Sequence, residues 1–267
     1  MKTRWIIKAT IIATVLVCLT ACGSQGPSGS GANSKPNSEM PSVPSESENE
    51  DKDKDKDKTL CYEGDKWYLI QNGELWGMGN TSGEELSGKV IIPSNVEGNV
   101  ITSISPNSYI FRNKTLITEI VLPDTLNNLP NGIFWGCDKL KKVRLPRNLT
   151  VIPGSAFYGC KSLVEVTLPD EIYKIGEHAF LGCISLKKIV VPAKVSMLDN
   201  GAFRGCEGLE EVYLPKSLKY IGIQVFPYKW SLKKVYFAGN RKEWDAIEFP
   251  AYGGDKDALE NIMIFEE

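Results

Sequence analysis

Five prolines, Pro123, Pro146, Pro169, Pro192 and Pro215, stand 23 residues apart, and four Gly-Cys pairs ending at Cys137, Cys160, Cys183 and Cys206 keep the same interval. Phe134, Phe157, Phe180, Phe203 and Phe226 share the beat. A chain written this way repeats one small unit whose apolar side is buried only by the next copy, so it has to stack into a solenoid. Solenoids present long, regular surfaces and mostly bind rather than catalyse.

Inside each unit the residues read L-x-x-V-x-L-P, as in Leu140 to Pro146 and Leu209 to Pro215. Period-two alternation predicts a short strand, and the proline ends it by removing a ladder donor. A second apolar pair follows, such as Leu149 and Ile152, and then Ala156-Phe157-Tyr158-Gly159-Cys160. The residue before each phenylalanine (Ile133, Ala156, Ala179, Ala202, Val225) suits a tight interior turn, and the one before that (Gly132, Ser155, His178, Gly201, Gln224) suits a surface turn. A 23-residue period lies in the range of leucine-rich repeats. The expected fold is therefore a β-rich solenoid, a right-handed leucine-rich-repeat stack with capping units at both ends.

The unit LxxVxLPxxLxxIxxxAFxGC, seen at Leu163 to Cys183, resembles the BspA-type repeat of bacterial surface proteins, also called the Treponema pallidum type. Val90 to Ile104 is similar to that family's opening strand and first turn, and Val235 to Trp244 to its closing strand and helix. About 180 of the 267 residues are covered. One departure is visible. Pro93 to Pro123 spans 30 residues, so the first coil carries a seven-residue insertion, and Asn107 to Asn113 lacks Ala-Phe-x-Gly-Cys. The resemblance implies attachment to host extracellular proteins or to other bacteria, and the expected partner is a host extracellular-matrix protein, a bacterial surface protein or a glycan.

The N-terminus bears on location. Lys2, Arg4 and Lys8 precede an apolar run, Ala9 to Val17, that is too short to span a bilayer, which is the pattern of a secretory signal. Leu19-Thr20-Ala21-Cys22 resembles the lipobox of bacterial lipoproteins, which implies cleavage before Cys22 and acylation of its thiol. Two or three acyl chains, at about 0.8 kcal/mol per buried methylene, give stable anchorage where one does not. Gly23 to Lys58 is rich in Gly, Ser, Pro, Asn and Glu and has almost nothing apolar to bury, so it is expected to remain a disordered tether with a reach of roughly 30 to 36 Å. Its Asp51, Asp53 and Asp55 are spaced like a calcium loop. Lys56 and Tyr62 stand where that loop needs Gly and Glu, so a zwitterionic spacer is the better reading.

Four thiols one rung apart could pair, bind metal, react or simply pack. Parallel neighbours lie roughly 5 Å apart, within disulfide reach, but side chains pointing the same way disfavour the required dihedral. Zinc needs ligands that converge rather than line up, and a reactive thiol needs a cationic neighbour that a buried row lacks. Packing is the expected role, and Lys114 and Lys229 occupy the column's two ends, where solvent begins. Cys61 lies outside the column with no partner evident from sequence. The single histidine, His178, sits in a turn column and supplies neither a triad nor a metal site. There is no phosphate-binding glycine loop and no nucleophile elbow. No catalytic residue, metal or cofactor is expected. With 31 basic and 33 acidic residues and no basic cluster beyond the leader, nucleic acid is not an expected partner either.

Binding is therefore sought on the strand face. Glu119, Lys142, Glu165, Lys188, Glu211 and Lys234 form a column of alternating sign, which is expected to stack as an internally neutral acid-base ladder. Two residues further on, Val121, Arg144, Thr167, Val190, Tyr213 and Tyr236 form the adjacent column. Tyrosine and arginine dominate interface energetics, so Arg144, Thr167, Val190, Tyr213 and Tyr236 are the candidate contact residues, with propensity filling as the alternative. A rival surface is the turn column of Trp135, Tyr158 and Leu181. At the ends, Leu60 to Lys89 reads as a β-hairpin cap and Ala258 to Glu267 as a final strand, so a monomer is expected. The plan is then 1–21 signal, 22–59 lipidated Cys22 and tether, 60–92 cap, 93–237 repeats and 238–267 cap. The expected function is that of a lipid-anchored surface adhesion module. The alternative is an envelope scaffold without an external ligand, because even fully extended the tether spans only roughly 120 to 130 Å.

Overall fold

The structure is a computed structural model, and it describes residues 59–227, 231–251 and 256–265. The leader, Cys22, the tether and Lys229 lie outside the described residues. Leu60–Glu267 forms a compact unit. The cap begins with β1 (Thr59–Glu63), β2 (Lys66–Gln71) and β3 (Glu74–Asn80). Strands β2 and β3 pair antiparallel around Asn72-Gly73, whose positive φ values of 49° and 79° fit a tight two-residue hairpin. Trp67 lies across β3, and a Cβ on Gly79 would stand 2.8 Å from its indole, so small residues are needed there.

The stack follows. Gly88–Ile91 is β4, Asn95–Val96 and Asn99–Val100 form the small antiparallel hairpin β5/β6, and Ser103–Ile104 is β7. The seven-residue excess is absorbed there and just after, because Phe111 to Phe134 is again 23 residues. Then come Ile117–Val121 (β8), Lys142–Arg144 (β9), Val151–Ile152 (β10), Lys174–Ile175 (β11), Lys188–Val190 (β12), Met197–Leu198 (β13), Glu211–Pro215 (β14), Tyr220–Ile221 (β15) and Lys234–Ala238 (β16). The helices Arg241–Asp245 (α1) and Lys256–Glu260 (α2) and the strand Met263–Phe265 (β17) close the unit. A capping box between Asn240 and Glu243 starts α1. The end expected to be a strand from Ala258 is helical through Glu260, and only Met263–Phe265 pairs with β16.

Parallel pairing links β4-β8-β9 and β12-β14-β16-β17 on one side and β10-β11-β13-β15 on the other. The first side is broken once. Val164 to Leu168 matches the strand pattern but joins neither β9 nor β12 among the described residues, although Val166 and Leu168 still point inward. Local β-propensity does not create a ladder, which needs both neighbouring rungs at bonding distance.

A third ladder runs along the turn edge. Phe134, Phe157, Phe180 and Phe203 each donate their N–H to the carbonyl of Ala156, Ala179, Ala202 and Val225 in the next coil, at 2.7 to 2.9 Å. Two residues per turn adopt left-handed backbone: the column Gly132, Ser155, His178, Gly201 and Gln224, and the glycines before each cysteine, at φ 69° to 75°. The first coil makes the same turn with Tyr109 and Asn113 at φ 46° and 58°, in spite of its different sequence.

Inside, Phe111, Phe134, Phe157, Phe180, Phe203 and Phe226 stack at centroid spacings of 4.9 to 5.9 Å. Beside them each thiol donates back to a phenylalanine carbonyl: Cys137 to Phe111, Cys160 to Phe134, Cys183 to Phe157 and Cys206 to Phe180, at 2.9 to 3.2 Å. All four are fully buried and reduced. Burial pushes the Cys137 thiol up to about 12 and lifts Cys160 and Cys183 well above the usual thiol range. The column is core, held in place by hydrogen bonds and chemically quiet. Cys61, in β1, accepts a hydrogen bond from the Asn99 amide at 3.4 Å.

Coils also meet backbone to backbone. A Cβ on Gly176 would stand 2.7 Å from Gly154 N and 2.9 Å from Ile152 O. Gly176→Ala is therefore expected to cost about 1 to 3 kcal/mol through overpacking, read as a lowered urea midpoint. An unchanged midpoint would mean that the coils can part there freely.

Candidate interaction face

Side chains at alternate positions of β4, β8, β9, β12, β14 and β16 point away from the core, and the ladder fixes their neighbours. In one outer column Glu119 faces Lys142, and Lys188, Glu211 and Lys234 are in register. Lys89 extends the alternation and closes an ion pair with Glu119 at 2.9 Å.

The expected self-neutralising ladder does not form along the rest of the column. Glu165 lies in the unpaired segment, the Lys188 ammonium sits 4.3 Å from the centre of the Tyr213 ring, and the Tyr213 hydroxyl donates to Glu211 at 3.4 Å. Register brings these charges near one another, but competing local partners decide which of them pair.

The second column carries the candidate residues. Val190, Tyr213, Tyr236 and Ile264 stand in register across four strands, and the two tyrosine rings stack at 4.4 Å and 14°. Val190 is 55% and Ile264 41% exposed, so the stripe is apolar at both ends and accessible. Desolvation, and secondarily the Glu211 charge, raise the Tyr213 phenol above its ordinary value, so it remains a hydrogen-bond donor. Arg144 stands apart from this group, bound to the Leu122 carbonyl at 2.6 Å and to Asp124 at 2.7 Å. That fastens two coils and leaves less of the guanidinium for a ligand. Thr167 is exposed, but in the unpaired segment.

Sequence reasoning missed Ile91, 51% exposed and in register with Val121, and also Ile264. Ile91 stands two residues before Pro93, so the rule that found the column extends to it. Ile264 lies after the last repeat, where the period gives no signal.

The turn edge holds a different cluster. Trp135 and Tyr158 stack at 4.3 Å, and the Arg112 guanidinium lies 4.5 Å from the Trp135 ring and 5.3 Å from that of Tyr109. Their faces are spent on one another, and Leu181 follows in the column. His178 occupies its turn at φ 56°. Among the described residues no cluster of His, Cys, Asp or Glu is placed to hold a metal, and no helix is long and apolar enough to cross a membrane.

Residues 128–249 match the family model of the BspA type leucine-rich repeat region, in six copies. The fold is similar to the solved leucine-rich repeat protein of Treponema pallidum, at 24% identity over 72% of this chain and 91% of that one, with a TM-score of 0.52. It is also similar to the pneumococcal vaccine antigen PcpA, at 20% identity over 67% of this chain and half (50%) of that one, with a TM-score of 0.50. No curated protein matches the chain. With its period, its turn-edge ladder and its buried Phe and Cys columns accounted for, residues 128–249 are a BspA-type leucine-rich repeat region, a repeat module of the protein-binding kind.

Proposed function

We propose that this protein is a lipid-anchored envelope protein that uses its strand face to hold a protein or glycan ligand at the cell surface. The lipobox-like Leu19 to Cys22 supports the anchor, and the polar tether of Gly23 to Lys58 supports a folded unit displayed away from the membrane. The observation that carries the binding role is the stripe of Val190, Tyr213, Tyr236 and Ile264, in register and solvent-facing on a rigid parallel sheet. Preorganised aromatics of this kind cost little entropy on binding and are typical interface anchors. Arg144 and Thr167 would lie at the margin of such a contact.

The test is an array of extracellular-matrix proteins, bacterial surface proteins and glycans, probed with the wild-type chain and with a Tyr213→Ala/Tyr236→Ala variant whose thermal melt is unchanged. Loss of roughly 2 to 4 kcal/mol of binding is expected for the double variant. Undiminished binding would move the site to the Trp135 and Tyr158 edge, and an array without any bound ligand would count against a binding role.

A further inference from the structure

The residue that enters each strand, one before the charged column, adds chemistry to this face. The consecutive pairs are Thr118-Glu119, Lys141-Lys142, Val164-Glu165, Lys187-Lys188, Glu210-Glu211 and Lys233-Lys234, so a dilysine recurs on every second coil. Backbone bonds tie these entries on either side of the unpaired Val164 segment: Lys141 N donates to Thr118 O at 2.8 Å, Glu210 N to Lys187 O at 2.8 Å and Lys233 N to Glu210 O at 2.9 Å. Paired parallel strands lie about 4.8 Å apart, so Lys187-Lys188 and Lys233-Lys234 stand about 10 Å apart, and the turn-edge ladder, continuous through the unpaired Val164 coil, keeps Lys141-Lys142 at a comparable rung interval.

All six lysines are exposed. Four glutamates share the strip, but Lys89 pairs with Glu119, the Tyr213 hydroxyl reaches Glu211, and only Lys233 closes an ion pair with Glu210, at 2.7 Å. Lys188 lies over the Tyr213 ring, and among the described residues Lys141, Lys142, Lys187 and Lys234 make no ion pair. The whole chain carries a net charge of -2, so this strip runs against the general balance.

We infer that the strand-entry edge of the sheet binds a linear acidic polysaccharide carrying one anionic group on every second sugar, an inference that rests on reading the strand face as the binding surface. In an extended glycan of that type the anionic groups recur once per disaccharide, a spacing of the same order as that of the dilysines. A polyanion charged more closely, such as an acidic polypeptide rising about 3.4 Å per residue, sets negative groups against Glu165 and against Glu210-Glu211 as well as against the lysines. Opposite charges across a solvent-exposed surface also predict fast association and marked salt sensitivity.

Hyaluronan oligosaccharides, which carry a carboxylate on alternate sugars, are the probe, titrated into the purified protein at low and at high salt. Replacing all six lysines with glutamine is expected to weaken binding by about tenfold or more, from the summed loss of small exposed-charge contributions. The separate variants K141Q/K142Q, K187Q/K188Q and K233Q/K234Q should each lose part of that, which keeps the test valid if the sextuple variant is poorly folded. A control, K139Q/K216Q/K219Q, should bind nearly as wild type. Equal loss in the control, equal or tighter binding of poly-glutamate, or no hyaluronan binding by the wild type would each overturn the inference. None of these outcomes touches the Tyr213/Tyr236 array experiment, which judges the strand face on its own.

Discussion

Phe180→Ala is expected to destabilise the repeat unit by about 3 to 5 kcal/mol, the range for truncating a fully buried phenylalanine. The ring sits in the middle of the stack, 4.9 Å from Phe157 and 5.3 Å from Phe203, and its backbone N–H joins the turn-edge ladder. Coils in a solenoid are stabilised only by their neighbours, so a cavity at this point loosens two interfaces together. Against a total stability of about 5 to 15 kcal/mol this is a large fraction. Thermal denaturation should shift down by about 10 °C or more. Phe226→Ala, at the end of the column and slightly exposed, should cost distinctly less. A loss below about 1.5 kcal/mol at Phe180 would show that the column is not what holds the coils together.

The second large effect is alkaline unfolding. In the unfolded chain a thiol loses its proton near pH 8.5, whereas burial holds Cys137 protonated to about 12 and Cys160 and Cys183 well above the usual range. Between those limits the unfolded state binds fewer protons than the folded one, so stability falls as pH rises. The contribution is intact below about pH 8.5 and is lost progressively towards pH 12. Each thiol adds a slope of about 1.4 kcal/mol per pH unit, so three give roughly 4. Tyr68, lifted to about 12 chiefly by burial, adds to the same trend at higher pH. Urea melts under reducing conditions should change little from pH 6 to 8 and collapse by about pH 10.5. A Cys160→Ala/Cys183→Ala variant should be weaker at pH 7 but decline less steeply. The same slope in that variant would assign the alkaline loss to other groups.

The proline, phenylalanine and cysteine intervals dictate rung length, and the residues at each interval dictate which side is buried; Phe180 and Cys183 behave as their columns require. Tyr213 and Tyr236 were legible as neighbours because a fixed period converts a sequence interval directly into a strand-to-strand contact.

Other features depend on coordinates that no interval encodes. Val164 to Leu168 has the composition of a strand but no ladder, because pairing is a relation among three rungs rather than a property of one. Arg144 reads as a free interface arginine but is held by Leu122 and Asp124. The Glu119 to Lys234 column alternates in sign, yet its charges turn to Tyr213, to Lys89 or to solvent. Ile264 joins the tyrosine stripe only because the closing strand folds back beside β16. The sequence alone determined the solenoid, its period and its core, since backbone repetition and apolar burial are additive along the chain. Tertiary structure decided which charges pair, where the sheet breaks and how far the exposed tyrosine stripe extends, since those depend on contacts between neighbouring coils.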